Sequence, residues 1–276
     1  MRTYRFDQVD VFAAGPFTGN PLAVLHQAQD LSATTMQTVT RWTNLSEVAF
    51  LLAPTVAAAD YRVRIFEPKS ELPFAGHPTL GACAAWLAAG GIPKRDGVIV
   101  QECGAGLIKI RQSASGALAF AAPPMTRHEP VDANDLDRVL DVLGIDAADV
   151  VDSSWIDNGP GWMGLLLSSA QHVLGLPAPT ATASHFDVGV VGLHPVGHVA
   201  TIELRAFFND PNGSIREDPV TGSLNASVAQ WLLAMGIVEA PYVAAQTTGS
   251  ISVEQADGEI WVGGVADVRV SGTIEL

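Results

Sequence analysis

The sequence predicts an α+β protein built from two similar halves. Three observations carry this reading. Short runs of β-branched and aromatic residues, separated by Gly, Pro and Asn, recur along the whole chain. Each half also holds one strongly apolar helix candidate. Finally, Arg64-Ile65-Phe66, which leads to His77-Pro78 and Gly81, is echoed by Arg205-Ala206-Phe207, which leads to Asp218-Pro219 and Gly222. The separation is 141 residues at each matched position (207 less 66, 219 less 78, 222 less 81). A weaker echo links Gly15-Pro16 to Gly159-Pro160, each ahead of a strand.

The elements follow in order. Tyr4 to Phe12 is rich in β-formers and reads as a strand, followed by a Gly/Pro/Asn loop and a second strand from Leu22 to Leu25. Ser32 to Trp42 reads as a helix with Ser32 as its cap. Val48 to Leu52 is a short apolar run. Tyr61, Val63 and Ile65 alternate with Arg62 and Arg64, the period of a half-buried strand. Pro78 to Ala89 fits a helix with Pro in its first turn and Gly90-Gly91 past its end. Three short strands are expected between Gly97 and Ala122. Pro123-Pro124 and the polar stretch to Asp132 mark a boundary, giving halves 1–123 and 124–276. Beyond it lie a helix from Asn134 to Leu143, strands at Ser154–Ile156, Met163–Leu167 and Val199–Phe208, and the longest helix from Pro219 to Met235. Antiparallel strands are expected from Tyr242 to Leu276.

Composition narrows the function. Hydrophobic residues make up 48% of the 276 and charged residues 16%, enough for a large core. Acidic residues outnumber basic ones 29 to 15, a formal net charge of −14. Nucleic acid and anionic membrane are therefore poor partners, since both recruit clustered Lys and Arg. A small anionic substrate remains open, because backbone N–H groups can hold a carboxylate in an acidic protein. Two cysteines, Cys83 and Cys103, cannot make a disulfide scaffold, and the first residues have no signal-peptide core. The expectation is a reduced, cytoplasmic protein.

Three ionisable side chains stand out. His77 and Asp218 occupy matching places at two helix entrances, where unpaired N–H groups and a partial positive charge favour an anion. Glu47 directly precedes Val-Ala-Phe-Leu-Leu, where burial would suit it to proton transfer. Converging on one cleft, the three would support proton abstraction and return without a cofactor. Taken singly, Asp218 is equally a helix cap, His77 a surface-loop histidine and Glu47 a solvated strand-edge residue. His194-x-x-x-His198 has the spacing of a metal pair, but Pro195 and Gly197 argue against a helix there and no third ligand is evident. No metal site is expected.

Four blocks carry a resemblance: Asp10-Val-Phe-Ala-Ala-Gly-Pro-Phe-Thr-Gly-Asn-Pro-Leu-Ala-Val, Leu45-Ser-Glu-Val-Ala-Phe, Glu71-Leu-Pro-Phe-Ala-Gly-His-Pro-Thr-Leu-Gly and Glu217-Asp-Pro-Val-Thr-Gly-Ser-Leu-Asn-Ala. In them the chain resembles the PhzF family of phenazine-biosynthesis-like isomerases. The resemblance implies a diaminopimelate epimerase-like fold, with two pseudo-symmetric halves, each a curled, mainly antiparallel sheet around a central helix, and an active cleft between them. It implies Glu47 as the acid/base group, with His77 and Asp218 as the other catalytic side chains. It further implies Gly76, Gly222 and Ser223 as anion-binding residues, no cofactor, and a homodimer. Racemases related to the family use two cysteines, whereas the places here hold His77 and Asp218. Ser250 stands where the family often has Arg, which leaves the substrate open. An epimerase or ring-forming enzyme of secondary metabolism, or a non-catalytic binding protein on the same fold, are the alternatives.

Overall fold

A computed structural model of the chain describes residues 1–179, 186–209 and 213–276. The chain divides into two compact units, residues 1–121 with 263–276, and residues 122–262. The first boundary lies close to Pro123. The last strand, however, Ala266–Glu275, returns to the first unit, where it pairs antiparallel with Thr3–Val11. Sequence patterning marks it as a strand but cannot say which partner it takes.

In the first unit Thr3–Val11 also pairs antiparallel with Asn20–Leu25. Helix α1 (Ala33–Thr43) then carries the chain to Val48–Leu52, parallel to Asn20–Leu25. Ser32 caps α1 by accepting from the Thr35 N–H, as its hydroxyl allows. Tyr61–Phe66 runs antiparallel to Val48–Leu52, takes a short return strand, Glu71–Leu72, and pairs in parallel with Ile99–Cys103. Gly106–Gln112 and Leu118–Ala121 complete the meander.

Helix α2 (Gly76–Ala88) lies at the centre of this unit. Every residue from Gly76 to Ala85 is buried. An apolar surface all round requires walls on all sides, and α2 packs against Thr3–Val11, Asn20–Leu25, Val48–Leu52, Tyr61–Phe66, Leu118–Ala121 and Ala266–Glu275. Gly81 sets the distance: a Cβ there would stand 2.5 Å from Leu22 Cδ2 and 2.9 Å from Val11 Cγ2. Gly81→Ala is expected to destabilise the protein by about 1–3 kcal/mol through overpacking. The check is a lower urea midpoint at unchanged slope.

The second unit repeats the order. Arg127–Pro130 and Met163–Leu167 flank Val150–Asp157, both antiparallel. Helices α3 (Ala133–Leu143) and α4 (Ala170–Gly175) fall in the connections. Asp187–Leu193 runs parallel to Met163–Leu167 and antiparallel to Ile202–Asn209, which takes the return strand Ile215–Asp218 and, in parallel, Tyr242–Gln246. Gly249–Ala256 follows antiparallel. Helix α5 (Gly222–Ala234) is buried along most of its length, as α2 is.

The two halves are therefore alike in topology, but not at the spacing the sequence echo suggests. In the first unit Ile65 pairs with Leu72 and Phe66 with Glu71; in the second Ala206 pairs with Asp218 and Phe207 with Glu217. The leading strands keep the 141-residue separation. Past the hairpin it becomes 146 (217 less 71, and 222 less 76 at the helix starts). Ion pairs confirm the register. Arg64 clamps Glu71 with Nε–Oε1 2.7 Å and Nη2–Oε2 2.6 Å, and Arg205 clamps Glu217 with 2.8 and 2.7 Å. The structural repeat is thus Glu71-Leu-Pro-Phe-Ala-Gly76-His77 against Glu217-Asp-Pro-Val-Thr-Gly222-Ser223.

Three expectations change with it. The first central helix starts at Gly76, not Pro78, so His77 is its second residue. Proline disfavours an α conformation in the residue before it, which is why sequence rules start the helix late. The second helix starts at Gly222, not Pro219, because Asp218 is still paired in the return strand. Asp218 is thus not the matching partner of His77: Ser223 holds that place, and Leu72 matches Asp218.

Candidate active site

Glu47, Gly76 and His77 lie in the first unit; Asp218, Gly222 and Ser223 lie in the second. Within the first unit the structure brings Glu47 and His77 together. Glu47 stands one residue before the strand Val48–Leu52, half-buried, with Oε2 3.5 Å from His77 Nε2. His77 is only 3% exposed, because the first turn of α2 sits inside the curled sheet. Burial pushes its pKa down to about 3. The contact therefore joins a carboxyl group to a neutral imidazole and is not an ion pair at neutral pH. On the other side of the ring, Asn20 Nδ2 lies 3.4 Å from His77 Nδ1.

The second unit holds its residues in a buried polar network. Asp218 Oδ2 accepts from the Thr221 hydroxyl at 2.7 Å. Gln246 organises the surroundings: its Nε2 donates to the Asp218 carbonyl (3.0 Å) and to Thr221 Oγ1 (2.9 Å). Its Oε1 accepts from the Thr221 N–H and from Asn225 Nδ2, both at 3.0 Å. Because Thr221 Oγ1 accepts from Gln246, its own hydrogen goes to Asp218. The cap of α5 is Thr221, with no side-chain cap bond, so the capping reading of Asp218 falls away. Ser223 Oγ accepts from Trp162 Nε1 at 3.1 Å, and its carbonyl accepts from Asn158 Nδ2 at 2.9 Å.

At both helix entrances the first N–H groups have no acceptor within the helix. Pro78 lacks an N–H, leaving Gly76 and His77 as donors on α2; Gly222, Ser223 and Leu224 are their counterparts on α5.

Sequence reasoning missed Asn20, Trp162, Thr221, Asn225 and Gln246 as site residues. A signal existed for one: Asn225 is an amide in a helix that is mostly apolar apart from Ser223, Ser227 and Gln230. Thr221 takes its role from nearby Asp218 as well as from Gln246; Asn20, Trp162 and Gln246 acquire meaning only through partners distant along the chain.

The cysteines are not placed for two-thiol chemistry. Cys83 is buried within α2, where desolvation pushes its pKa up to about 12, and burial also raises that of Cys103. The second positions of the helices hold His77 and Ser223 instead. His194 and His198 stack on each other, with ring centroids 3.8 Å apart, and His194 Nε2 bonds Glu203 Oε2 at 3.0 Å. Among the described residues no cluster of three or more His, Cys, Asp or Glu is arranged to hold a metal ion. No helix among them is long and apolar enough to cross a membrane.

Comparison with known proteins identifies the family. The family described as phenazine biosynthesis-like protein, PhzC-PhzF, matches residues 9–272. The chain belongs to this family. PhzF proteins share its fold. A crystal structure of a PhzF-family protein from Enterococcus faecalis superposes with a TM-score of 0.78 at 22% identity, covering all of both chains. A full-length relative, antisense-enhancing sequence 1 of Schizosaccharomyces pombe, is 32% identical over 99% of each chain. Over a shorter stretch, 28% of this chain and 27% of the relative, identity rises to 52% with trans-2,3-dihydro-3-hydroxyanthranilate isomerase of Pseudomonas chlororaphis. As a PhzF-family member with relatives named as isomerases, this chain is an enzyme of the isomerase type.

Proposed function

We propose that this PhzF-family chain is a cofactor-independent acid/base isomerase. Its substrate would be a small carboxylate-bearing compound, dihydroanthranilate-like or amino-acid-like. The observation that carries the reading is the 3.5 Å approach of the Glu47 carboxyl group to the buried, neutral His77 ring. A carboxylate beside a neutral donor can take a proton from carbon and hold it for return.

In this reading Glu47 removes a proton from one carbon of the substrate. The electrons of the broken C–H bond shift through the neighbouring unsaturated system, and the proton returns at another carbon. Nothing is oxidised or reduced, so substrate and product are isomers. His77 stands beside Glu47 and orients its carboxyl group. Asp218, held by Thr221 and Gln246, orients a polar group of the substrate. Gly76 on the first central helix, and Gly222 with Ser223 on the second, offer N–H and hydroxyl donors of the kind that bind a carboxylate.

The test is incubation with trans-2,3-dihydro-3-hydroxyanthranilate in D2O, followed by NMR. The expected result is an isomer carrying deuterium at the newly formed C–H bond. An unchanged compound would overturn the ring assignment. Absence of C–H exchange across a panel of dihydroanthranilate-like and amino-acid-like carboxylates would overturn the acid/base reading altogether.

A further inference from the structure

Asn20 opens the strand Asn20–Leu25, fully buried, where it pairs with Val11. The loop before it is tied at several points. The carboxylate of Asp10 accepts from the N–H of Phe17 (2.6 Å) and of Gly19 (2.8 Å). Thr18 Oγ1 and Gly15 bond each other both ways, at 2.9 Å. Gly19 passes so close to the Val11 carbonyl oxygen that a Cβ would stand 2.2 Å from it. The amide of Asn20 is thus delivered to His77 by a braced backbone.

What the amide does there follows from counting protons. A neutral imidazole carries one hydrogen, on Nδ1 or on Nε2, and the bond at one nitrogen decides the other. Nε2 faces Glu47 Oε2, and an ionised carboxylate only accepts. Hydrogen on Nε2 suits that 3.5 Å approach, which is longer than a formed hydrogen bond, and leaves a lone pair on Nδ1. The Asn20 NH2 group faces this lone pair. Both ends of the ring thus agree on one tautomer. The opposite one requires the amide to turn its oxygen to Nδ1 and leaves a lone pair facing Glu47, tolerable only if Glu47 itself is protonated.

The second unit repeats the device with different residues. Ser223, at the helix position matching His77, accepts from Trp162 Nε1. Indole is a donor only, so Ser223 keeps its hydrogen to give. The loop leading to Trp162 is likewise tied by a carboxylate: Asp157 accepts from Gly159 and Gly161, both at 2.7 Å. In each unit, a donor from the first hairpin turns the second residue of the central helix into a donor.

We propose that Asn20 is a positioning residue that locks His77 as its Nε2–H tautomer, a hydrogen-bond donor aimed at Glu47, and thereby keeps Glu47 as the proton acceptor between turnovers. The role for Glu47 rests on the proposed isomerase function; the tautomer does not.

The experiment is a long-range 1H–15N correlation spectrum of histidine-labelled protein at pH 7, with His77 assigned by its loss in His77→Gln. The wild type is expected to show the Nε2–H pattern. Asn20→Asp offers only acceptors and is expected to move the hydrogen to Nδ1. It should lower kcat on the order of 10–100-fold, as loss of an orienting partner does, at nearly constant KM, with the acid limb of the kcat/KM profile moved to higher pH. An Nδ1–H or doubly protonated ring in the wild type overturns the proposal, as does an unmoved tautomer in Asn20→Asp. Should that variant fail to fold, the wild-type spectrum decides alone. An Nε2–H spectrum in a protein that exchanges no substrate proton upholds the tautomer and overturns the isomerase function.

Discussion

Glu47→Gln is expected to lower turnover on the order of 10²–10⁴-fold, the usual worth of a positioned acid/base group, and to abolish exchange of substrate C–H with D2O. The change is nearly isosteric and removes only the ability to carry a proton. Glu47 is half-buried, and its contact with His77 is a long one at 3.5 Å. Thermal stability and substrate binding should therefore change little, placing the loss in kcat rather than KM. Glu47→Asp keeps the carboxylate but withdraws it, and is expected to retain an intermediate rate. Single-turnover kinetics with deuterium counting would separate the two variants. Exchange by Glu47→Gln at the wild-type rate would remove Glu47 from the reaction.

Mild acid is expected to destabilise this fold strongly. His77 has a folded pKa near 3, depressed by burial, against about 6.5 in an unfolded chain. Below pH 6.5 the unfolded chain therefore binds a proton that the folded chain refuses. Stability falls by about 1.4 kcal/mol per pH unit down to the folded value. At pH 5 the loss from His77 alone is about 2 kcal/mol. His26 acts in the same direction: desolvation lowers its pKa, although its bond to Asp7 partly opposes this. Asp7, lowered by bonds from Ser271, Arg5 and His26 against the opposing effect of burial, adds a loss that begins only as pH falls past the ordinary carboxylate range. Urea titrations between pH 7 and pH 4 should show the slope in the wild type, and His77→Gln should show a shallower one. Equal slopes would mean that His77 protonates without cost and is not buried as described.

Much of this architecture can be read from residue patterns, for reasons that also explain the misses. Alternation at Tyr61, Val63 and Ile65 and the cap at Ser32 are local signals, and they yield correct elements. The echo of Arg-x-Phe is equally local and correctly reports two like halves. The second hairpin is longer than the first, and Asp218-Pro219 happens to copy His77-Pro78 at the old spacing. Only strand register shows that Ser223 is the true counterpart of His77. The Glu47–His77 approach is consistent with the motif, but the neutrality of His77 depends on walls contributed by strands at both ends of the sequence. Gln246 illustrates the limit: it ends an ordinary-looking strand, yet satisfies four polar groups around Asp218 and Thr221. Hydrogen bonds across more than twenty residues leave no periodic trace.

The return of Ala266–Glu275 to pair with Thr3–Val11 has a consequence for biosynthesis. Residues 122–262 form a contiguous body and can close as they leave the ribosome. The earlier body must wait, its opening ribbon unprotected along one margin, until the final ribbon is translated. Released chains truncated after residue 265 should consequently show a protease-resistant later body beside an earlier one that is still readily cleaved and in need of chaperone shelter.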